Sequence, residues 1–294
     1  MGIKKLKIIV TGASGFIGRH LVQLLASKGH NVYAVYANLK PVIPKQTNLI
    51  EWIKCDLTKG FGPIEQLKNV DCIINLASVG ISPRFAPLDV MVNVNILMTS
   101  LLFDYAKKQD IRRLIFAGSC HEYGFSGDKY HHIPPEAPLL PNNVYGASKA
   151  ASFNMIHALS LASDVEVYYG RIFSVFGEGQ HSTNLWSQIA AAANNCTDLN
   201  LSSGEQIRDF ISVNKVCEIL VDSAERLDLV HHNIIVENIG TGVAKTVIQF
   251  AEEEYKRLGG IKRIRVGSIK DRPNEVKSYC AKISERHQRL LQLM

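Results

Sequence analysis

The stretch Lys7-Ile8-Ile9-Val10-Thr11-Gly12-Ala13-Ser14-Gly15-Phe16-Ile17-Gly18 decides the fold. Ile8-Ile9-Val10 is apolar on every residue, which fits a strand covered on both faces. Glycines follow at GxxGxxG spacing, and an apolar-periodic stretch over 15–28 predicts a helix. The spacing alone is weak; its place between a first strand and a first helix gives it meaning. Such a turn brings backbone N–H groups and a helix N-terminus up to a pyrophosphate, and Gly18 lets helix and strand pack closely. Gly12, Ser14, Gly15, Phe16, Ile17 and Gly18 are therefore candidate coenzyme contacts.

Outward from this turn the same rhythm repeats. Strands are predicted at 7–11, 32–36, 49–55, 72–76, 114–118, 165–169 and 233–236, with helices near 15–28, 89–108 and 143–161. Continuous apolar strands alternating with helices predict an α/β fold, a Rossmann-type doubly wound parallel sheet. After Gly177 the rhythm loosens. Helices are expected near 185–194, 213–226 and 246–258, around a polar turn at Ser202-Ser203-Gly204, followed by a short basic strand and a final helix. The expected division is a dinucleotide-binding domain over 1–176, to which 205–240 return. A smaller C-terminal substrate-binding lobe would comprise 177–204 and 241–294, closing over the sheet edge where such folds bind ligands.

Composition narrows the class. The 294 residues are 46% hydrophobic and 20% charged, ordinary for a globular chain, with no internal repeat. No apolar run reaches the roughly 18 residues that span a bilayer, and no secretory signal is recognisable, so a cytoplasmic location is expected. The six cysteines show neither CxxC pairing nor metal spacing and read as reduced structural thiols; no metal is expected. The net charge of +6 is spread over short clusters such as Lys262-Arg263-Arg265, which read as solvated faces. Neither nucleic acid nor membrane is expected as a partner.

The end of the second strand reads Val35-Tyr36-Ala37-Asn38, without the carboxylate that binds the ribose 2′-hydroxyl of NAD. Arg19 and Lys40 are nearby cations able to meet a 2′-phosphate. NADP(H) is expected in preference to NAD, with Tyr36 against the adenosine end. Asp56 and Leu57, after the third strand, are candidates for the adenine. Leu76, Ala77 and Ser78, after the fourth, would pass near the nicotinamide ribose.

Two Tyr-xxx-Lys pairs occur, Tyr36–Lys40 and Tyr145–Lys149. The first runs into Pro41 and reads as an accident. The second lies at a predicted helix start, where positions i and i+4 share a face. Tyrosine ordinarily titrates near 10, and a neighbouring ammonium favours its phenolate. Lys149 is also expected to hold the nicotinamide ribose. Ser119, ending the strand 114–118, would polarise a substrate carbonyl. Asn95, in the preceding helix, is a softer candidate for organising the site.

These residues resemble the extended short-chain dehydrogenase/reductases, in the nucleotide-sugar epimerase/dehydratase/reductase group. The resemblance covers nearly the whole chain. It rests on 11–18, Ser119 with Tyr123-Gly124, 145–149, Arg171-Ile172-Phe173-Ser174-Val175-Phe176-Gly177, 204–213, 238–242 and 272–276. It implies a nucleoside-diphosphate-sugar substrate, with Arg208 and Arg272 where relatives bind the nucleotide or its diphosphate. It also implies a homodimer through a four-helix bundle formed by 89–108 and 143–161. Sugar 4,6-dehydratases carry Thr-Asp-Glu where this chain has Ser119-Cys120-His121, which argues against dehydration. The run 117–124 looks like the sugar 4-keto reductases that supply bacterial surface polysaccharides. Cys120, His121, Ser174 and His181 are expected to face substrate, with acid–base work by His121 left open beside a contact role. The expectation is an NADPH-dependent 4-keto reductase; an NAD-dependent 4-epimerase and a non-catalytic dinucleotide sensor are the competing readings.

Overall fold

The structure, a computed structural model, describes residues 4–38, 47–81, 85–226, 234–270 and 275–292. Lys40, Pro41 and Arg272 lie outside the described residues, as does the first residue of the strand expected at 233–236. Seven parallel strands form the main sheet: β1 (Lys7–Thr11), β2 (Asn31–Tyr36), β3 (Ile50–Lys54), β4 (Cys72–Asn75), β5 (Arg113–Ser119), β6 (Glu166–Ile172) and a later strand at Ile234–Ile239. Their order is β3-β2-β1-β4-β5-β6 and then Ile234–Ile239. Chain direction across the sheet reverses between β1 and β4, and at that switch point the C-terminal strand ends open a crevice.

Helices cover both faces. On one side α1 (Phe16–Ser27) packs with the helix Val213–Glu225, burying Leu21, Val22, Leu25, Val216 and Leu220 against Ile8 and Val10. On the other lie α2 (Leu88–Lys108) and α3 (Val144–Leu161), which bury Met98, Leu102, Phe103 and Ile156 against Ile9, Ile73 and Phe116. Ile8 and Ile9 face opposite layers because successive strand side chains alternate. Each such side chain contributes about 1.5–3 kcal/mol by leaving water. By length and composition α2 could cross a membrane, but one flank of it is core of this sheet.

A second, smaller sheet is built from later strands. Strands β7 (Ser174–Phe176), β9 (Ile207–Ser212), β11 (Ala244–Thr246) and β13 (Ser278–Tyr279) assemble around β9; a separate ribbon pairs β8 (Leu199–Asn200) with β12 (Ile264–Arg265). The strand Ile234–Ile239 is β10 in this order. Helices α4 (Leu185–Asn194) and α6 (Val247–Arg257) share a hydrophobic cluster with Leu199, Leu201 and Phe210. Of residues 205–240, the helix Val213–Glu225 (α5) and β10 join the large unit, whereas β9 joins the small one. The last helix, α7 (Glu285–Gln292), buries His287.

Candidate active site

The glycine turn is shaped for close backbone approach. Gly12 has φ +64°, and a Cβ there would meet Ala77 N at 2.8 Å and Leu76 O at 2.9 Å. A Cβ at Gly18 would meet Gly12 O at 2.3 Å, so only glycine lets α1 start this near β1. Gly15 caps α1 without a side-chain hydrogen bond, and no acid occupies the first turn. The N–H groups around Phe16 and Ile17 are thus left for an external anion. Leu76, Ala77 and Ser78 follow β4 across the crevice, with Ala77 N donating to Thr11 Oγ1 at 3.4 Å. These residues fit a dinucleotide pyrophosphate, since the glycines leave room and the helix end supplies donors.

The residues expected at the adenosine end are differently engaged. The Arg19 guanidinium donates to Gly179 O in the loop after β7, and its buried Nε makes no hydrogen bond. It is drawn towards that loop and not to the end of β2. Tyr36 stands edge-on to Trp52, with centroids 6.0 Å apart. The Asp56 carboxylate accepts from Thr58 Oγ1 at 2.6 Å and from Thr58 N at 3.2 Å, which caps a short turn. The Thr58 hydroxyl foremost holds it below the usual carboxylate range. Leu57 beside it is buried.

Asn143 begins α3 by accepting from Gly146 N at 2.8 Å. A Cβ at Gly146 would meet His121 O at 2.3 Å, so this glycine permits the first turn of α3 to press against the turn that follows β5. That approach brings Tyr145 to Ser119. The hydroxyls of Ser78 and Ser119 lie near enough to the phenol to favour its ionised form. Burial raises the phenol to about 12, and these two hydroxyls oppose the rise. Lys149 lies one turn on, buried, and donates to Ala117 O at 2.7 Å. Burial lowers its pKa, and the Glu122 carboxylate counters that. Lys149 was expected to act on the phenol directly. Here its ammonium donates to the strand carbonyl of Ala117.

Asn95 is fully buried in a π-helical stretch of α2, Val92–Met98. Its amide clamps Val79 through both N–H and C=O at 2.9 Å, and donates to Ser148 Oγ at 2.9 Å. Loop 78–80 is thereby fastened to α3, which sets Ser78 against Tyr145. The wider turn of a π stretch is a common device at functional positions.

Ser119 is held by a reciprocal cap. Its Oγ accepts from His121 N at 3.3 Å, and its own N–H donates to Glu122 Oε1 at 2.8 Å. Glu122 is fully buried, accepts from Tyr169 OH at 2.9 Å, and pairs with Arg171 Nε at 2.6 Å. The Arg171 guanidinium stacks over Phe153 at 4.3 Å and donates to Pro135 O at 2.7 Å. The pair sits beneath Ser119, and its carboxylate also acts on the Lys149 ammonium.

His121 stands edge-on to Tyr145, with centroids 5.9 Å apart, and similarly to Tyr279 at 5.8 Å. Its Nδ1 lies 3.5 Å from Asn143 Nδ2. Cys120 is buried, and burial lifts its thiol to about 12, which disfavours the thiolate. Ser174, half-buried, opens β7. His181 is turned into its own loop, contacting Thr183 Oγ1 at 2.9 Å. Arg208 pairs with Glu275 at 2.7 Å and sits over the Tyr279 ring at 5.3 Å. Tyr279 itself was not anticipated. It is 3% exposed, its hydroxyl makes no hydrogen bond, and it touches both His121 and Arg208. Only an isolated aromatic in the polar run Lys277-Ser278-Tyr279 could have signalled it.

With this geometry in place, similarity to known proteins is informative. The chain is 27% identical over 263 residues to the dTDP-6-deoxy-L-talose 4-dehydrogenase (NAD(P)(+)) of Kitasatospora kifunensis, covering 84% of this chain and 77% of that one. It is 27% identical over 225 residues to the "Uncharacterized UDP-glucose epimerase YtcB" of Bacillus subtilis, covering 70% and 68%. Among solved structures, MoeE5 in complex with UDP-glucuronic acid and NAD superposes with a TM-score of 0.82 at 27% identity, over 97% of this chain and 92% of that one. The profile of the NAD dependent epimerase/dehydratase family matches residues 8–240. The chain belongs to that family.

Proposed function

We propose that the protein reduces the C4 keto group of a nucleoside-diphosphate-linked deoxy sugar, using NADPH in preference to NADH, in the cytoplasm, for a surface-polysaccharide precursor. The observation that carries this reading is the run Ser119-Cys120-His121 beside Tyr145, which lacks the acid pair a dehydratase needs. Desolvation raises the Tyr145 phenol, so its protonated form is the one that meets a carbonyl oxygen. The coenzyme supplies hydride at C4 of its nicotinamide. Ser119 and Ser78 orient the phenol, and Ser119 hydrogen-bonds the sugar oxygen as charge develops on it. Lys149, the nearby cation, stabilises the phenolate left after transfer. Arg208, with Arg272, takes the diphosphate. Dehydration is disfavoured because Cys120 and His121 stand where the paired acids would be.

The coenzyme preference rests on the absence of a carboxylate along Tyr36-Ala37-Asn38. Arg19, tied to Gly179 O, contributes less to it than the sequence promised. A second reading, NAD-dependent 4-epimerisation, is favoured by relatives such as YtcB and by the NAD in the MoeE5 complex. A panel of nucleotide-linked 4-keto sugars with NADPH and NADH separates the two. Consumption of NADPH with formation of a 4-hydroxy sugar is expected. Interconversion of UDP-hexose epimers without net coenzyme consumption, by protein purified with NAD bound, would reverse the assignment.

The homodimer belongs to the same proposal. Leu88, Val92, Leu97 and Leu101 of α2 and Val144, Met155 and Leu161 of α3 are exposed although apolar. One flank of α2 is core; a two-fold partner placing the same helices opposite would cover the other. Leu101→Arg is expected to convert dimer to monomer in sedimentation velocity. An unchanged sedimentation coefficient would remove α2 from the interface.

A further inference from the structure

Residues 256–270 contain six cations, Lys256, Arg257, Lys262, Arg263, Arg265 and Lys270, and no acid. The whole chain has 33 Lys and Arg against 27 Asp and Glu; without these six the two are equal. The entire net positive charge therefore resides in one segment of the small lobe. We propose that this segment is a docking surface for an anionic lipid bilayer, holding the enzyme peripherally at a membrane.

The fold builds the surface from an ordered scaffold. Ile264 of β12 packs inward on the cluster formed by α4 and α6, and β12 pairs with β8. Backbone bonds from Leu199 N to Arg263 O and from Leu201 N to Arg265 O, both 3.0 Å, fix the segment, and Gly267 N donates to Ser202 O at 3.0 Å. The flanking turns then carry apolar side chains outward: Ile261 is 75% exposed, Ile269 49% and Val266 46%. Arg257 is held by Glu254 and Arg265 by Asp198. Among the described residues, Lys256, Lys262, Arg263 and Lys270 have no carboxylate at ion-pair distance.

The pairing of features selects the occupant. Cations alone are usually a solvated face, and on the charge alone no membrane partner is expected; the aliphatic side chains between them change that. Three exposed branched aliphatic side chains among them gain nothing in water and are suited to the headgroup–acyl boundary. A polynucleotide would match the cations but not the aliphatics, and the segment offers no aromatic for stacking. A leaflet containing anionic lipid matches both, attracting each cation within about one Debye length of its surface. This inference does not depend on which reaction the site performs.

The test is co-sedimentation of the full chain with vesicles of phosphatidylcholine and phosphatidylglycerol, and with phosphatidylcholine alone. Binding is expected only to the anionic vesicles, and is expected to weaken as salt rises. Lys262→Glu with Arg263→Glu should reduce partition by at least about ten-fold. Ile261→Ser should reduce it at unchanged salt dependence. Both variants change exposed side chains; unaltered circular dichroism and coenzyme binding establish that they remain folded. No binding to anionic vesicles at low salt overturns the proposal, as does binding that the variants leave intact. Retention on heparin without vesicle binding would assign the patch to a soluble polyanion and overturn it. Full release from vesicles by free UDP would return these cations to the substrate site and do the same.

Discussion

Tyr145→Phe is expected to lower kcat by roughly 10²–10⁴-fold, the span that a positioned proton donor contributes. The affinity for coenzyme should stay within about two-fold, because the pyrophosphate cradle at Gly12–Gly18 shares no atoms with the phenol ring. The change removes one oxygen and leaves the ring against His121 and the loop 78–80. Ser78 and Ser119 lose their common partner, yet each keeps another, Asn95 Oδ1 for Ser78 and His121 N for Ser119. Folding should therefore be little affected, and the loss should appear in turnover. Stopped-flow coenzyme oxidation with a saturating keto sugar measures it. Turnover within three-fold of wild type would remove Tyr145 from the chemistry and leave His121 as the proton donor to examine.

The direction of the pH dependence follows from the same residue. With the phenol raised to about 12, the proton-donating form predominates throughout the neutral range and is lost only as pH climbs towards that value. Reduction should then be flat through neutral pH and fall at the alkaline end. The reverse oxidation needs the phenolate and should rise with pH over the same interval. Lys149→Met should lower both, because the cation that stabilises the phenolate is gone. The Ala117 carbonyl that accepts from Lys149 would also lose its partner.

The large sheet was legible in the sequence because its strands are covered on both sides. Runs such as Ile8-Ile9-Val10 and Cys72-Ile73-Ile74 have no polar face to confuse, and β1 has the bounds expected of it. The small sheet was not read from the sequence, and Asp209 shows why. It is fully buried in β9, where it breaks the apolar pattern, and its carboxylate is satisfied from 30 and more residues away. It accepts from Thr241 N, Thr241 Oγ1, Gly242 N and Ala281 N at 2.7–3.1 Å. Strands of two or three residues, such as β11 and β13, carry too little pattern to declare themselves. At the site, Tyr145, Lys149 and Ser119 are candidates from spacing and strand position, and the structure gathers them near the end of β5. What spacing could not supply is which neighbour each polar group chooses. Lys149 selects Ala117 O, Arg19 selects Gly179 O, and Asn95 sits in a π-helical stretch that its sequence does not announce.

Arg171→Met is expected to cost about 3–5 kcal/mol, more than any surface change in this chain, because it strands a carboxylate where water cannot reach. Arg171 is 1% exposed and Glu122 fully buried, and their contact is 2.6 Å. Methionine keeps much of the apolar stem, so the aromatic shelf of Phe153 and Tyr123 is retained and the lost quantity is mainly charge. Glu122 would retain two donors, Ser119 N–H and Tyr169 OH, which partly offset the loss. For a chain of this size the melting temperature should fall by roughly 10 °C. The double variant Arg171→Met with Glu122→Gln removes both charges and should regain a large part of that loss, since a neutral amide does not need the guanidinium. Calorimetry on the two single variants and the double one measures the coupling. An Arg171→Met variant melting within about 2 °C of wild type would remove the ion pair from the chain's main sources of stability. The consequence reaches the site through Ser119, whose N–H is held by Glu122 while its hydroxyl meets Tyr145. Weakening the pair should therefore lower kcat in the folded fraction as well, while a variant that merely unfolds more protein would change the amount of active enzyme and leave its kcat alone.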